Sequence, residues 1–171
     1  MEKIYIGNTG NTPLGDLWVA MSEEGLIAVE FKMSREEFED YIQCSLGKPA
    51  GYAPERVKEA LTQLKEYLAG KRRQFSIPID WSRMASFQQA ALKATFGIPC
   101  GETRTYGQIA AQIGRPRAAR AVGRAQATNP MPLVIPCHRV IGADGKLHGY
   151  GGGEGVKTKE WLLKMEGAVI A

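Results

Sequence analysis

The sequence predicts an α+β fold. A small N-terminal sheet-plus-helices domain, residues 1–84, packs on a mostly helical C-terminal domain, residues 85–171. Three observations predict this. Period-two apolar alternation dominates the opening of the chain, whereas helical spacing dominates after Ser86. Two short helical patterns flank Gly114-Arg115, which is the spacing of a helix-turn-helix at about 105–127. Charge divides at the same place. Residues 1–85 carry 11 Lys/Arg against 13 Asp/Glu, a net of −2, and residues 86–171 carry 11 against 5, a net of +6, which sum to the +4 of the chain.

Lys3-Ile4-Tyr5-Ile6 alternates and is broken by Gly7 to Asn11. Leu17 to Met21 and Leu26 to Phe31, joined by Ser22-Glu23-Glu24-Gly25, read as a hairpin. Ser34 caps a helix to about Leu46, with Phe38, Tyr41 and Ile42 at helical spacing. Residues 47–53 read as a loop, and a second helix runs from about Pro54 to Ala69 on the stripe Val57, Leu61, Leu64, Leu68. Phe75 to Ile79 reads as a last strand. This half carries no motif with chemistry.

In the second half, Ser86 caps a helix with Phe87, Leu92 and Phe96 on one side. Thr105 caps the next, Tyr106 to about Ile113. Pro116 opens a third, Arg117 to about Ala127. Its small residues, Ala118, Ala119, Ala121, Gly123, Ala125 and Ala127, are interrupted by Arg117, Arg120 and Arg124. Such a helix presents a low-profile cationic face, suited to close approach to a nucleic-acid groove. A last helix spans about Lys157 to Gly167, with Trp161, Leu162 and Met165 on one face.

Composition excludes several classes. No apolar stretch is long enough for a transmembrane helix, and the N-terminus lacks signal-peptide features, so a cytoplasmic protein with no membrane partner is expected. Cys44, Cys100 and Cys137 are too sparse for a disulfide framework, and with only His138 and His148 no metal site is expected. Gly149 to Gly155 does not fit Gly-x-Gly-x-x-Gly, because Glu154 stands at the last position. No cofactor is expected.

The chemistry converges on Leu133-Val-Ile-Pro-Cys-His-Arg-Val140. Pro136 ends a strand-like apolar run, and Cys137 and His138 begin a new element. A thiol beside an imidazole can become a thiolate, which is the nucleophilic form, and a helical turn at Cys137 would favour it further. A cysteine in an apolar stretch is more often a small core residue, so the motif alone leaves both readings open.

Residues 86–167 resemble the catalytic domain of the O6-alkylguanine-DNA alkyltransferases. The matching pieces are Ile-Pro-x-Gly-x-x-x-Thr-Tyr at 98–106, Ala-Ala-Arg-Ala-Val-Gly at 118–123 and Asn-Pro-x-Pro at 129–132. They continue with Ile-Pro-Cys-His-Arg-Val at 135–140, Gly-Tyr at 149–150 and Trp-Leu-Leu-x-x-Glu-Gly at 161–167. Residues 1–84 resemble that family only in length and strand-helix pattern. The resemblance implies single-turnover, irreversible transfer of an alkyl group from O6 of guanine, and O4 of thymine, in duplex DNA to Cys137. The target nucleotide would be flipped out of the duplex by a monomer. It also implies roles. Cys137 is the nucleophile, His138 the base acting through water, Glu166 the group that orients His138, Asn129 the brace of the active-site turn, and Tyr106 the proton donor to the leaving guanine. Arg120 enters the duplex as a finger, with Arg117, Arg124, Ala119 and Gly123 on the DNA face. Val140, Tyr150, Gly151, Met131 and Pro132 form the substrate pocket. Gly151 stands where some members have Ser, and the Gly-rich segment 151–155 is longer than in many, which suits a larger alkyl group.

Three rival readings remain on the residues alone. One is a DNA-binding regulator with an alkylation- or redox-sensing cysteine. Another is a cysteine hydrolase, which the adjacency of Cys137 and His138 disfavours. The third is a structural DNA-binding module with an inert thiol.

Overall fold

The structure is a computed structural model that describes residues 2–170. The chain divides into two compact units, Met1–Arg83 and Met84–Ala171.

The first unit is built on a four-stranded sheet of order β3-β2-β1-β4, with β1 at Ile4–Asn8, β2 at Leu17–Ser22, β3 at Gly25–Phe31 and β4 at Ala50–Tyr52. β2 and β3 form the expected antiparallel hairpin. β4 lies within the expected loop 47–53 and pairs parallel to β1. Three residues are too few to show alternation, so this pairing leaves no local trace in the sequence. Helix α1, Arg35–Leu46, starts in a capping box between Ser34 and Glu37. It buries Phe38 and Ile42 over the sheet, where Phe38 stacks on Trp18 with ring centroids 5.6 Å apart. Helix α2, Lys58–Leu68, begins later than expected, because Pro54–Arg56 forms a separate 3-10 turn. Its stripe Val57, Leu61, Leu64, Leu68 is buried throughout.

Phe75 to Ile79 is extended but is not a strand. It makes one isolated bridge to β3, through Leu26 N to Pro78 O at 2.8 Å and Asp80 N to Leu26 O at 3.0 Å. Pro78 has no N–H with which to extend the ladder. The contact requires Gly25, with φ 143°, since a Cβ there would lie 2.5 Å from the Pro78 carbonyl oxygen.

In the second unit, α3 (Ser86–Phe96), α4 (Tyr106–Gln112) and α5 (Ala119–Ala127) share a core of Ala91, Ile98, Ile109, Ala110, Val122, Ala125 and Val140. Ala85, not Ser86, occupies the N-cap of α3. Its buried line is Ala91, Leu92 and Thr95, while Phe96 is 38% exposed. Small residues let the helices approach closely, and that packing overrides the larger aromatic spacing. Thr105 caps α4 in a capping box with Gln108. α5 starts at Ala119, so Arg117 lies in the turn that precedes it, and only Arg120 and Arg124 ride on the helix.

The apolar run before Pro136 is a buried turn and not a strand. Pro132 and Ile135 form an isolated bridge, and Leu133 has φ 76°. Val140–Ile141 (β6) pairs parallel with Arg104–Thr105 (β5), tying the residues after the cysteine to the start of α4. The final helix α6, Val156–Glu166, buries Thr158, Lys159, Leu162, Leu163 and Glu166, and leaves Trp161 38% exposed. That face is set one step round from the aromatic face expected. Among the described residues no helix is long and apolar enough to cross a membrane.

Candidate active site and nucleic-acid face

Cys137, His138 and Arg139 form one buried 3-10 turn. The turn is held from several sides. Asn129 Nδ2 donates to Ile135 O at 2.9 Å, and Asn129 Oδ1 accepts from Met131 N at 3.0 Å. One side chain thereby clamps both ends of the turn that precedes Pro136. The Asn129 amide also favours the Cys137 thiolate.

Behind the turn lies a buried charge cluster. His138 is fully buried, and its Nε2 stands 2.8 Å from Glu166 Oε2. Arg139 grips the same carboxylate twice, Nε to Oε1 at 2.9 Å and a terminal nitrogen to Oε2 at 2.8 Å, and donates to Ile98 O at 2.6 Å. Burial alone would raise the Glu166 pKa, but the bonds from His138 and Arg139 outweigh it and hold the carboxyl well below the ordinary range. Burial lowers the pKa of His138 against the opposing pull of Glu166, so the resting ring is neutral. In a neutral ring whose Nε2–H donates to a carboxylate, Nδ1 carries the lone pair that can take a proton.

Burial pushes the Cys137 thiol up, against the Asn129 bond, the Lys159 charge and the N–H groups of Cys137 and His138. The helical turn expected at Cys137 is therefore present, but it does not leave a resting thiolate. A three-residue turn adds a little local polarity, and burial outweighs it.

Lys159 was not singled out by the sequence. It is 1% exposed, and its Nζ donates to Val140 O at 2.7 Å and His148 O at 3.2 Å, with the Tyr106 ring centroid 5.9 Å away. Burial lowers its pKa to about 8, while the Cys137 charge opposes that fall. Arg139 was quoted in the motif but given no task. A lysine or arginine on a polar-looking stretch carries no sign of burial in its own sequence. The only available signal was the position of Lys159 on the same helical face as Leu162, Leu163 and Glu166.

Cys137 opens on a cavity of about 350 Å³ lined by Tyr106, Gly123, Gln126, Ala127, Cys137, Gly149, Tyr150 and Gly151. Of the expected pocket residues, Tyr150 and Gly151 line it. Met131 and Val140 are buried but are not on its wall, and neither is Pro132. Gly123, expected on the DNA face, lines the cavity, where a Cβ would stand 3.9 Å from the Tyr106 ring. Gln126, Ala127 and Gly149 were not anticipated there. Tyr106 is half-buried. Burial and then the Cys137 charge raise its pKa, so the phenol keeps its proton and can donate it.

The Gly-rich segment is pinned at its far end. Glu154 N donates to Thr158 Oγ1 at 2.8 Å, and Gly153, with φ 54°, comes so close that a Cβ would lie 2.5 Å from that oxygen. On α5, Val122, Ala125 and Gln126 face inward, while Arg120, Arg124 and Ala127 are exposed. Ala119 is partly buried, and Arg117 is exposed in the preceding turn. One end of the cavity wall thus belongs to the helix whose outer face is cationic.

Comparison with known proteins matches both units of the chain. A model described as 6-O-methylguanine DNA methyltransferase, DNA binding domain, matches residues 86–168, and one described as the ribonuclease-like domain of the same protein matches residues 4–81. A methylated-DNA--protein-cysteine methyltransferase of Salmonella typhimurium is 42% identical over 165 residues, covering 93% of this chain and 94% of that protein. A protein of the same name from Methanosarcina acetivorans is 42% identical over 159 residues, covering 92% and 95%. The Mycobacterium tuberculosis OGT protein solved in complex with DNA is 39% identical with a TM-score of 0.77, covering 96% of this chain and 92% of that one.

Proposed function

Because the chain belongs to the 6-O-methylguanine DNA methyltransferase family, we propose that Cys137 is the residue that accepts the alkyl group and that this cavity receives the damaged guanine. The protein repairs DNA by direct reversal, moving a methyl group from methylated DNA to its own cysteine. The observation that carries the assignment is Cys137 on the cavity wall, backed by the His138–Glu166 pair at 2.8 Å.

His138 Nδ1 takes the thiol proton through a bridging water, and Glu166 stabilises the imidazolium. The sulfur attacks the alkyl carbon, an S–C bond forms, and the C–O6 bond breaks with its electrons passing to the guanine. Tyr106 gives its proton to the leaving base and is reprotonated from His138, so the net proton passes from Cys137 to guanine. The thioether has no leaving group for water to displace, which makes the reaction stoichiometric. Asn129 and Arg139 are positioning residues. The first holds the turn, and the second holds Glu166.

Guanine O6 inside a duplex is out of reach of a buried thiol, so the nucleotide is flipped into the cavity. The helix pair α4 and α5 serves as a helix-turn-helix, with Arg120 filling the gap in the stack and Arg117 and Arg124 meeting phosphates. O4-alkylthymine is a second substrate of the same chemistry. The protein acts as a monomer in the cytosol, where a reactive thiol stays reduced.

The test is to incubate the protein with duplex DNA containing O6-methylguanine and weigh the Cys137 peptide. One permanent methyl per protein is expected. No gain, or a gain that persists in Cys137→Ala, would falsify the assignment.

A further inference from the structure

The buried face of α5 carries one polar side chain. Gln126 is 7% exposed, and its Nε2 donates to Thr95 Oγ1 at 2.7 Å. Thr95 Oγ1 in turn donates to Ala91 O at 2.9 Å. A hydroxyl has one proton, and that of Thr95 goes to Ala91. The Gln126 atom that meets it must therefore be the NH2 group, which fixes how the carboxamide lies. Gln126 Oε1 is left facing away from Thr95. It is buried, and no donor among the described residues reaches it. Gln126 is also among the residues that line the cavity, with Cys137, Tyr106 and Tyr150.

A buried acceptor without a donor is costly, and a site built to bond a hydroxyl discriminates against a ligand that lacks one. We propose that Gln126 is a specificity-determining residue whose Oε1 accepts a hydrogen bond from a hydroxyl on the transferred group, so that O6-(2-hydroxyalkyl)guanines are favoured over apolar lesions of equal size. This rests on the alkyltransferase reading.

The purine itself is a poorer match. An O6-alkylguanine has no N1 proton, and its remaining base donor is the exocyclic amine. That amine is carried on C2, with N1 between it and the C6 that bears O6, so it does not occupy the position of the transferred group. The alkyl group, in contrast, must lie against Cys137, within the cavity that Gln126 lines. Transfer proceeds as for methyl. The S–C bond forms, the C–O6 bond breaks, and the hydroxyl is retained on the new thioether. Thr95 is the positioning residue, since its hydroxyl keeps the acceptor turned away from itself.

The test uses single-turnover rates on duplexes carrying O6-(2-hydroxyethyl)guanine or O6-propylguanine, each normalised to O6-methylguanine. In the unaltered protein, the hydroxyethyl-over-propyl ratio should exceed that of a small-molecule thiolate with the same nucleosides. Gln126→Met should lower it by about tenfold, the worth of one neutral hydrogen bond. Equal ratios in protein and free thiolate overturn the proposal whether or not any variant folds. Equal ratios in the unaltered protein and Gln126→Met overturn it too, as does a variant that slows all three lesions alike, since the acceptor would then serve the purine. Failure of the unaltered protein to take methyl from O6-methylguanine would instead sink the alkyltransferase reading, and is seen separately.

Discussion

The two units place their ionisable groups in opposite ways. Among the described Asp, Glu, Lys, Arg and His residues, the first unit buries one, Asp80 at 4% exposure, and the second buries four, His138, Arg139, Lys159 and Glu166, at 0, 6, 1 and 3%. Asp80 bonds Ser22 Oγ at 2.9 Å and Arg83 Nε at 3.1 Å, so it ties the end of the unit to its hairpin. The four groups of the second unit surround the turn that holds Cys137. A buried charge that serves as a tether needs partners and nothing else. The second set also adjoins an opening, since Cys137 in the same turn lies on a cavity wall.

The largest expected effect would break this contrast. Glu166→Ala strands His138 and Arg139 and should cost about 3–5 kcal/mol of stability, because it leaves buried charge uncompensated. Asp80→Ala should cost less, about 1–3 kcal/mol, since it removes a hydrogen bond to neutral Ser22 and leaves an Arg83 charge that reaches solvent. Urea unfolding of both variants measures the difference, and equal losses would erase the distinction.

Acid should separate the units next. The folded pKa of His138 lies below its ordinary 6.5, so the unfolded chain takes up that proton first, and stability falls as pH drops below about 6.5. The folded pKa of Glu166 lies below its ordinary 4.5, so its stabilisation is present above that value and is lost as pH falls further. Asp80 follows the same rule from 3.8 downward. Hydrogen exchange should therefore show the second unit opening at a higher pH than the first. Coincident opening would contradict the assignment of the acid-sensitive groups.

Arg120→Ala should slow transfer from duplex DNA by on the order of tenfold or more, and slow reaction with a free O6-alkylguanine base far less, because only the duplex requires flipping. Equal losses on both substrates would remove Arg120 from that role. Gly151→Ser is expected to matter least. A Cβ there meets only Ala127 O at 3.8 Å, and thermal unfolding should shift by less than about 0.5 kcal/mol.

Much of the scaffold was legible because its signals are local. The capping boxes at Ser34 and Thr105 each need four consecutive residues, and the α2 stripe needs one helix face. β4 was not legible, since its pairing with β1 joins distant segments and its three residues have no pattern. The apolar run at 133–135 looked like a strand because burial and strand propensity favour the same residues. Leu133 in a left-handed conformation leaves no mark in composition. In the site, Cys137 and His138 were picked out by their adjacency after Pro136, Glu166 and Asn129 by family resemblance, and their distances came from packing. Lys159 and Gln126 were missed because a polar residue in sequence looks the same whether it is solvated or sealed inside. The small-residue helix was read for its arginines, and its inward face at Gln126 depended on where Thr95 packed.

Glu166 follows His138 by 28 positions in the chain. A ribosome therefore releases the thiol well before the carboxylate that pairs with its neighbouring imidazole. Until α6 has emerged and docked, the nascent chain holds a cysteine whose imidazole neighbour has no fixed orientation. The turn that carries Cys137 and the helix that carries Glu166 are thus made at different times, and the buried His138–Glu166 pair forms only when α6 docks.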